Sequence, residues 1–340
     1  MVTSSFPRRP SSASYDVAII GQQFATEINV KIFQYAAEFV KDFRKNLKCE
    51  DGDDIPDIPI RNFGYLYLAG NSEFATVLEE DQKLQANCGA GTKMLSADEK
   101  ASKYPFFALD DIKAGSLNIV DEGAFDTLGM AHSLRERAQQ LGVDYIGNEV
   151  AGMTRVGNKV TSITLKTGEN ISVGNVVNAA GTRAAEVSRL ADLPLTIDPT
   201  GVHMRSYGKN DYLVGCPPIG PDVAVNPDDF SYAEDVWNLK MLPVLKKLVP
   251  QFSTAMVTHS WMGHYEFNTF DHNAIIGPHT EVSNLLFCVG FSGHGSQQAP
   301  ACGRGVAELI TYEEFRTLDL SALSYGRIAR NEPLMERAVI

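Results

Sequence analysis

The stretch Tyr15–Asn29, YDVAIIGQQFATEIN, decides how the fold is read. Its first half, Val17 to Ile20, is a short apolar run closed by Gly21. That is the pattern of a buried parallel strand opening a dinucleotide-binding layer. The second half breaks the pattern. A dinucleotide turn needs G-x-G-x-x-G: one glycine for the turn, one for approach of the pyrophosphate, one for helix packing. Here Gly21 stands alone and runs straight into Gln22-Gln23-Phe24. An acidic residue should also end a second strand about 20 residues on, to hold a ribose. No second strand is legible, because Ile28, Ile32, Phe39 and Phe43 recur at helical steps. The first βαβ unit is expected to be truncated.

Outward from this stretch, helices alternate with strands of parallel type. FGYLYLAG (63–70) reads as a strand, Glu73 to Ala86 as a helix, and Ser96 to Glu99 as a capping box, in which Ser and Glu each satisfy a free N–H. Asp126 is an N-cap for a helix with the stripe Ala131, Leu134, Ala138 and Leu141, stopped by Gly142. Val143 to Ile146 reads as a strand. The run from 157 to 181 reads as a meander: Lys159 to Lys166, the turn TGEN, then Val176 to Ala179 entering a buried sheet. A Pro/Gly/Asp-rich loop spans Gly215 to Asp229, and a helix runs from Ala233 to Leu248. Strands are expected at Val257 to Trp261, Ala274 to Ile276 and Leu285 to Val289, then a helix from Ala301 to Tyr312. The fold class is mixed α/β (α+β): a Rossmann-like nucleotide layer interleaved with an antiparallel substrate domain. Residues 15–340 form one such domain, with layer segments 15–48, 126–190 and 270–312 and substrate segments 60–120 and 200–268.

Two strand ends carry the chemistry. In NLLFCVGFSGHGSQQAP (284–300) a buried strand ends at Gly290, Gly293 and Gly295 follow, and a helix begins. Glycines let backbone approach a ligand, and a helix start offers unpaired N–H groups to negative charge. A tight strand-to-helix connection without a ligand is the other reading. In VVNAAGTRAAEV (176–187) a strand breaks at Gly181 behind the small residues Ala179 and Ala180, leaving room above its end. Ligands of such sheets sit outside the carboxyl ends of the strands.

Bulk properties exclude several classes. A net charge of −12 and a pI of about 5.1 repel phosphate backbones, so nucleic acid is not an expected partner. No apolar run approaches the ~20 residues of a membrane-spanning helix, while peripheral membrane contact stays open. Five cysteines (Cys49, Cys88, Cys216, Cys288 and Cys302) are an odd set without paired spacing, which argues against a disulfide framework. His203, His259, His264 and His279 lack metal spacing, so no metal is expected. The first fourteen residues are Ser-rich, carry two Arg and no acid. They fit either a short organelle-targeting remnant or a disordered terminus.

The last 80 or so residues, above all HYEFNTFDHNAIIGPH (264–279) and FSGHGSQQAP (291–300), resemble the D-amino-acid oxidase/sarcosine oxidase class of FAD-dependent oxidoreductases. The resemblance runs from Tyr15 to the C-terminus. It implies FAD as cofactor, with binding weakened or lost where the glycine turn, ribose acid and covering loop are missing between Gly21 and Gln22. A second gap is expected near Leu193 to Arg205. For eukaryotic members of the nearest type it implies the matrix side of the inner mitochondrial membrane. Their implied partners are respiratory complex I subunits or assembly intermediates. A non-catalytic assembly scaffold and an amine or N-methyl amino-acid oxidase are the alternative readings.

Residue by residue, the resemblance assigns cofactor contacts to Gly21, Val150, Ala180 and Gly181, and to the loop Gly290, Phe291, Ser292, Gly293, His294 and Gly295. Gln297 stands where relatives often place a Lys. Tyr265 stands where some relatives place an Arg that clamps a substrate carboxylate. No catalytic residue is assigned; His272, Tyr265 and Arg205 are candidates. For His272 a loop histidine satisfied by backbone is the alternative, and for Arg205 a solvated strand-end arginine.

Overall fold

The computed structural model describes residues 19–50, 53–104, 112–181, 203–207, 211–216, 219, 225–226, 229–231, 235–248 and 253–337. The readings made for residues 1–14, 15–18, most of the 193–205 gap and the helix start at Ala233 lie outside them.

In order, the chain forms β1 (Ile19–Ile20), α1 (Glu27–Lys41), α2 (Phe43–Asn46), β2 (Tyr65–Ala69), α3 (Ser72–Asn87), β3 (Lys93–Leu95), α4 (Ala97–Lys103), β4 (Ala114–Asn118), β5 (Gly123–Ala124) and α5 (Thr127–Gln140). Then follow β6 (Val150–Val156), β7 (Lys159–Leu165), β8 (Asn170–Ser172), β9 (Val176–Asn178), β10 (His203–Tyr207), β11 (Asp211–Gly215), α6 (Leu242–Leu248), β12 (Ile275–Pro278), β13 (Leu285–Val289), α7 (Gly295–Tyr312) and α8 (Gly326–Ala329). The strands make the mixed sheet β12-β13-β9, the antiparallel sheets β2-β4-β3 and β6-β7-β8, and the pairs β10-β11 and β1-β5. The architecture is the expected mixture of a layered α/β part and antiparallel sheets.

Helix α1 forms because its apolar residues recur on one face; Val30, Phe33, Ala37 and Val40 are all buried. They join Ala301, Cys302 and Val306 of α7, with Ile276 and Leu286 of the mixed sheet, in the main core. Each Val, Ile, Leu or Phe among them contributes roughly 1.5–3 kcal/mol on burial. Asn284 ties the meander to this sheet. Its Oδ1 accepts the Val160 N–H (2.8 Å), and its Nδ2 donates to the carbonyls of Val160 (2.7 Å) and Gly174 (2.8 Å). The two caps read from sequence are present. Ser96 and Glu99 form a reciprocal box, and Asp126 Oδ1 accepts the Gly129 N–H at 2.7 Å.

Several expected elements differ. The opening strand is not a parallel strand of the main sheet. Ile19 and Ile20 pair antiparallel with Ala124 and Gly123, and the chain passes from Gly21 to α1 without a second strand. Val143 to Ile146 forms no strand, because Val143 belongs to the helix stop. Gly142 takes a φ of +90°, its N–H donates to Gln139 O and the Val143 N–H to Ala138 O, a Schellman closure of α5. Val257 to Trp261 is not a strand either; Val257 and Trp261 are exposed and lack the buried face a strand needs. The last long helix begins at Gly295 rather than Ala301, which moves Gln297 and Gln298 into its first turn.

Candidate functional site

The two strand ends singled out in the sequence finish side by side. β13 runs parallel to β9 with Phe287 opposite Asn178, so Val289 and Ala180 emerge at the same end of the sheet. Both strands then turn through a left-handed glycine, Gly181 (φ +59°) and Gly290 (φ +74°), a conformation that costs a side-chain-bearing residue roughly 1 kcal/mol or more.

The loop after β13 is fixed by its neighbours. Ser292 adopts φ +49°, and its hydroxyl accepts the Asn268 N–H at 2.9 Å. Gly293 (φ +91°) lies under the Tyr265 ring, where an added Cβ would come within 2.7 Å. His294 caps α7 without a side-chain cap bond, so the first-turn N–H groups of this 18-residue helix face the loop. The Gln297 amide is 92% buried by its 8% exposure, and its Oε1 has no hydrogen-bond partner. Glu266 faces the Gly290 and Phe291 N–H groups. Burial raises its carboxyl to about 7 against the pull of those donors.

Opposite this loop stands the segment that opened the question. Gly21, Gln23, Phe24, Tyr65, Tyr67, His294 and Gln297 line one cavity of about 10 Å³. That is the space of roughly one water molecule. Tyr65 and Tyr67 stack at 6.3 Å, and His294 packs edge-on against Phe24 at 5.2 Å and Phe33 at 6.1 Å. Behind the wall Glu122 is fully buried. It accepts the Gln22 N–H at 2.6 Å and Gln23 Nε2 at 3.0 Å. Burial raises its carboxyl to about 7, opposed by these hydrogen bonds. The hydroxyl of Tyr67 is pushed upward too, first by burial and then by Glu122.

A polar network backs the loop from the other side. Arg327 clasps Asp271 through Nε (2.6 Å) and Nη2 (2.9 Å), both residues being buried. Asn268 Nδ2 donates to Asp271 and to the carbonyl of Asn273. Among the described residues no group of three His, Cys, Asp or Glu is arranged to hold a metal, no helix is long and apolar enough to cross a membrane, and all five cysteines are free.

Gly21, His294 and Gln297 therefore meet at one cavity; Tyr265 covers Gly293; Phe291, Ser292 and Gly295 build the loop; Ala180 and Gly181 close the neighbouring strand. Val150 opens β6 in the meander, paired with Leu165. His272 sits in a turn (φ +62°) with Nδ1 against Glu336 O at 2.9 Å, the backbone-satisfied alternative. The backbone of Arg205 lies in β10, and its side chain is outside the described part. Glu122, Glu266, Gln23, Tyr65 and Tyr67 were not singled out in the sequence. Their partners lie 42 to 100 residues away in the cases of Gln23 and Glu122, beyond any local pattern.

The set divides when tested against FAD. The flavin-ring end fits. A glycine-rich loop turning through left-handed Gly290 and Gly293, N–H groups at a helix start and an unpartnered buried acceptor suit a flat ring whose edge carries both acceptors and an N–H. The pyrophosphate end does not fit. Gln22 N–H is taken by Glu122, a Cβ on Gly21 would meet Tyr65 at 2.8 Å, and the cavity is small.

Comparison with known proteins places the chain in a flavoprotein family. The family profile described as FAD dependent oxidoreductase (DAO) matches residues 11–309. FAD-dependent oxidoreductase domain-containing protein 1 of Xenopus laevis is 31% identical over 379 aligned positions, covering 94% of this chain and 74% of the relative. That alignment is longer than the chain itself, so the relative carries residues with no counterpart here. L-proline dehydrogenase from P. horikoshii shares the fold with a TM-score of 0.78 at 23% identity, covering 95% of this chain and 89% of that one. Glycine oxidase from Geobacillus kaustophilus shares it with a TM-score of 0.72 at 22% identity, covering 92% and 88%. On the extent of the profile match and the identity to the Xenopus relative, the chain belongs to the FAD dependent oxidoreductase (DAO) family.

Proposed function

We propose that this chain is an FAD-dependent oxidoreductase-like protein of the mitochondrial matrix side, linked to assembly of respiratory complex I, and that it holds FAD weakly. The observation that carries the cofactor part is the convergence of the β9 and β13 ends on one glycine loop with an unpartnered acceptor, Gln297 Oε1. When bound, FAD would supply the hydride acceptor for oxidation of a C–N or C–H bond. The chain's own residues would seat its ring. Gly290 to Gly295 gives close approach, Gln297 accepts from the ring edge, and the start of α7 favours negative charge there. Weak binding is supported by the Glu122 carboxylate on Gln22 N–H, at the place where relatives are expected to hold pyrophosphate. Location and partner rest on similarity to relatives of the Xenopus type.

Flavin absorbance of the purified chain, titrated with FAD, tests the cofactor part. Partial occupancy that rises with added FAD is expected; no bound flavin in excess FAD overturns it. The second reading, a non-catalytic scaffold, is favoured by the small size of the cavity. Cells lacking the corresponding protein separate the two. The substitution Gly293→Val places a side chain against Tyr265 and excludes the ring. Complex I levels restored by this variant, once shown to fold, select the scaffold. Failure beside a wild-type chain that succeeds selects the flavoprotein. Failure of both removes the complex I link.

A further inference from the structure

The segment Gln22–Asn29 lines the cavity yet has no regular structure before Glu27. It is held at both ends by buried carboxylates from distant parts of the chain. At its start Glu122 takes the Gln22 N–H and Gln23 Nε2, while Ser116 Oγ donates to Gln23 Oε1 at 2.5 Å. At its end Glu336, from the tail after α8, accepts the Ala25 N–H (2.9 Å), Thr26 Oγ1 (2.8 Å) and Asn29 Nδ2 (2.7 Å). Helix α1 has no side-chain cap, and the Glu336 carboxyl group, from some 310 residues away, holds the residue before its N-cap and the side chains of Thr26 and Asn29 at its start. Between the two, Gln85 Nε2 donates to Phe24 O at 3.0 Å.

The Glu336 end connects onward to the loop. Asn29 Oδ1 accepts Gln298 Nε2 (3.2 Å) in the first turn of α7, and Asn29 Nδ2 also donates to Asn273 Oδ1 (2.7 Å). Asn273 adjoins the Asp271–Arg327 pair, and Asn268 beside it holds Ser292. The tail is fixed in turn by Glu336 N–H to Asp271 O and Leu334 N–H to Asp271 Oδ2. What lies between the clamped ends is Phe24, stacked on Phe33 at 4.1 Å and edge-on to His294.

We propose that Glu122 and Glu336 are a pair of positioning residues that clamp the two ends of Gln22–Asn29 and so set Phe24 against His294 at the glycine loop. The inference goes beyond the cofactor reading and does not require bound FAD. The His294 ring signals in proton–carbon NMR, assigned with His294→Gln, read it directly, because the Phe24 ring displaces them. Glu122→Ala and Glu336→Ala should each move these signals toward their positions in an unstructured chain. The milder Glu122→Gln and Glu336→Gln should move them part-way. Glu308→Ala is the control for general loss of stability. Glu308 is a similarly buried carboxylate in the second half of α7, with partners Arg304 in that helix and Arg316 and Thr317 just beyond it, and its variant should leave His294 in place. Unmoved His294 signals in folded clamp variants, or an equal shift in Glu308→Ala, overturn the proposal. If an alanine variant does not fold, the paired glutamine variant decides by the same signals.

Discussion

Replacing Glu122 by Gln should flatten the dependence of stability on pH. The carboxyl is fully buried, and burial carries it from 4.5 to about 7. Between those values the folded chain keeps a proton that the unfolded chain releases. The contribution to stability is therefore complete below the unfolded value and is lost as pH rises through about 7. At roughly 1.4 kcal/mol per pH unit, the loss comes to about 3 kcal/mol. A glutamine has no such proton. It still accepts the Gln22 N–H but turns an NH₂ toward Gln23 Nε2, losing a hydrogen bond worth about 1–3 kcal/mol. The variant should be the less stable protein near about pH 5, and the gap should close or reverse by about pH 8. Glu266, raised to about 7 by burial, acts with the same sign and leaves a residual slope in both proteins. Glu308 does not interfere. Its burial is outweighed by hydrogen bonds from Thr317, Arg316 and Arg304, its carboxyl falls to about 2, and its contribution is lost only in stronger acid. Urea unfolding across this range, with m unchanged, is the assay. Parallel stability curves for the two proteins would refute the assignment of a buried, proton-holding Glu122.

Arg327→Ala should cost about 3–5 kcal/mol, because it strands the buried Asp271 carboxylate, and thermal unfolding should show the drop. Gly123→Ala should cost about 1–3 kcal/mol or more in the same assay. An added Cβ would lie 1.8 Å from Arg61 O, so the bridge between Arg61 and Ala124 has to separate. Asp126→Ala removes the cap on Gly129 N–H and should cost about 1 kcal/mol, leaving the pH dependence attributed to Glu122 unchanged.

Local chemistry was legible wherever neighbours in sequence are partners in space. The Ser96–Glu99 box, the Asp126 cap, the Gly142 stop and the meander from Lys159 depend on contacts a few residues long. The glycines after Val289 and after Ala180 likewise announced strand ends, because left-handed backbone selects for glycine. The strand expected at Val257 to Trp261 failed for the converse reason, since an apolar run specifies a strand only where something buries it.

By itself the sequence determined that the opening strand lacks a glycine-rich turn, and that two strands end in glycine. Only the tertiary structure decided what fills the gap. Ile19 and Ile20 pair with Gly123–Ala124, Glu122 takes the Gln22 N–H, and Glu336 takes the Ala25 N–H ahead of α1. The reason lies in the cost of an unpaired buried donor, which must find an acceptor somewhere in the folded chain. Which acceptor it finds depends on how residues about 100 and 310 positions apart come together, and no short-range pattern records that.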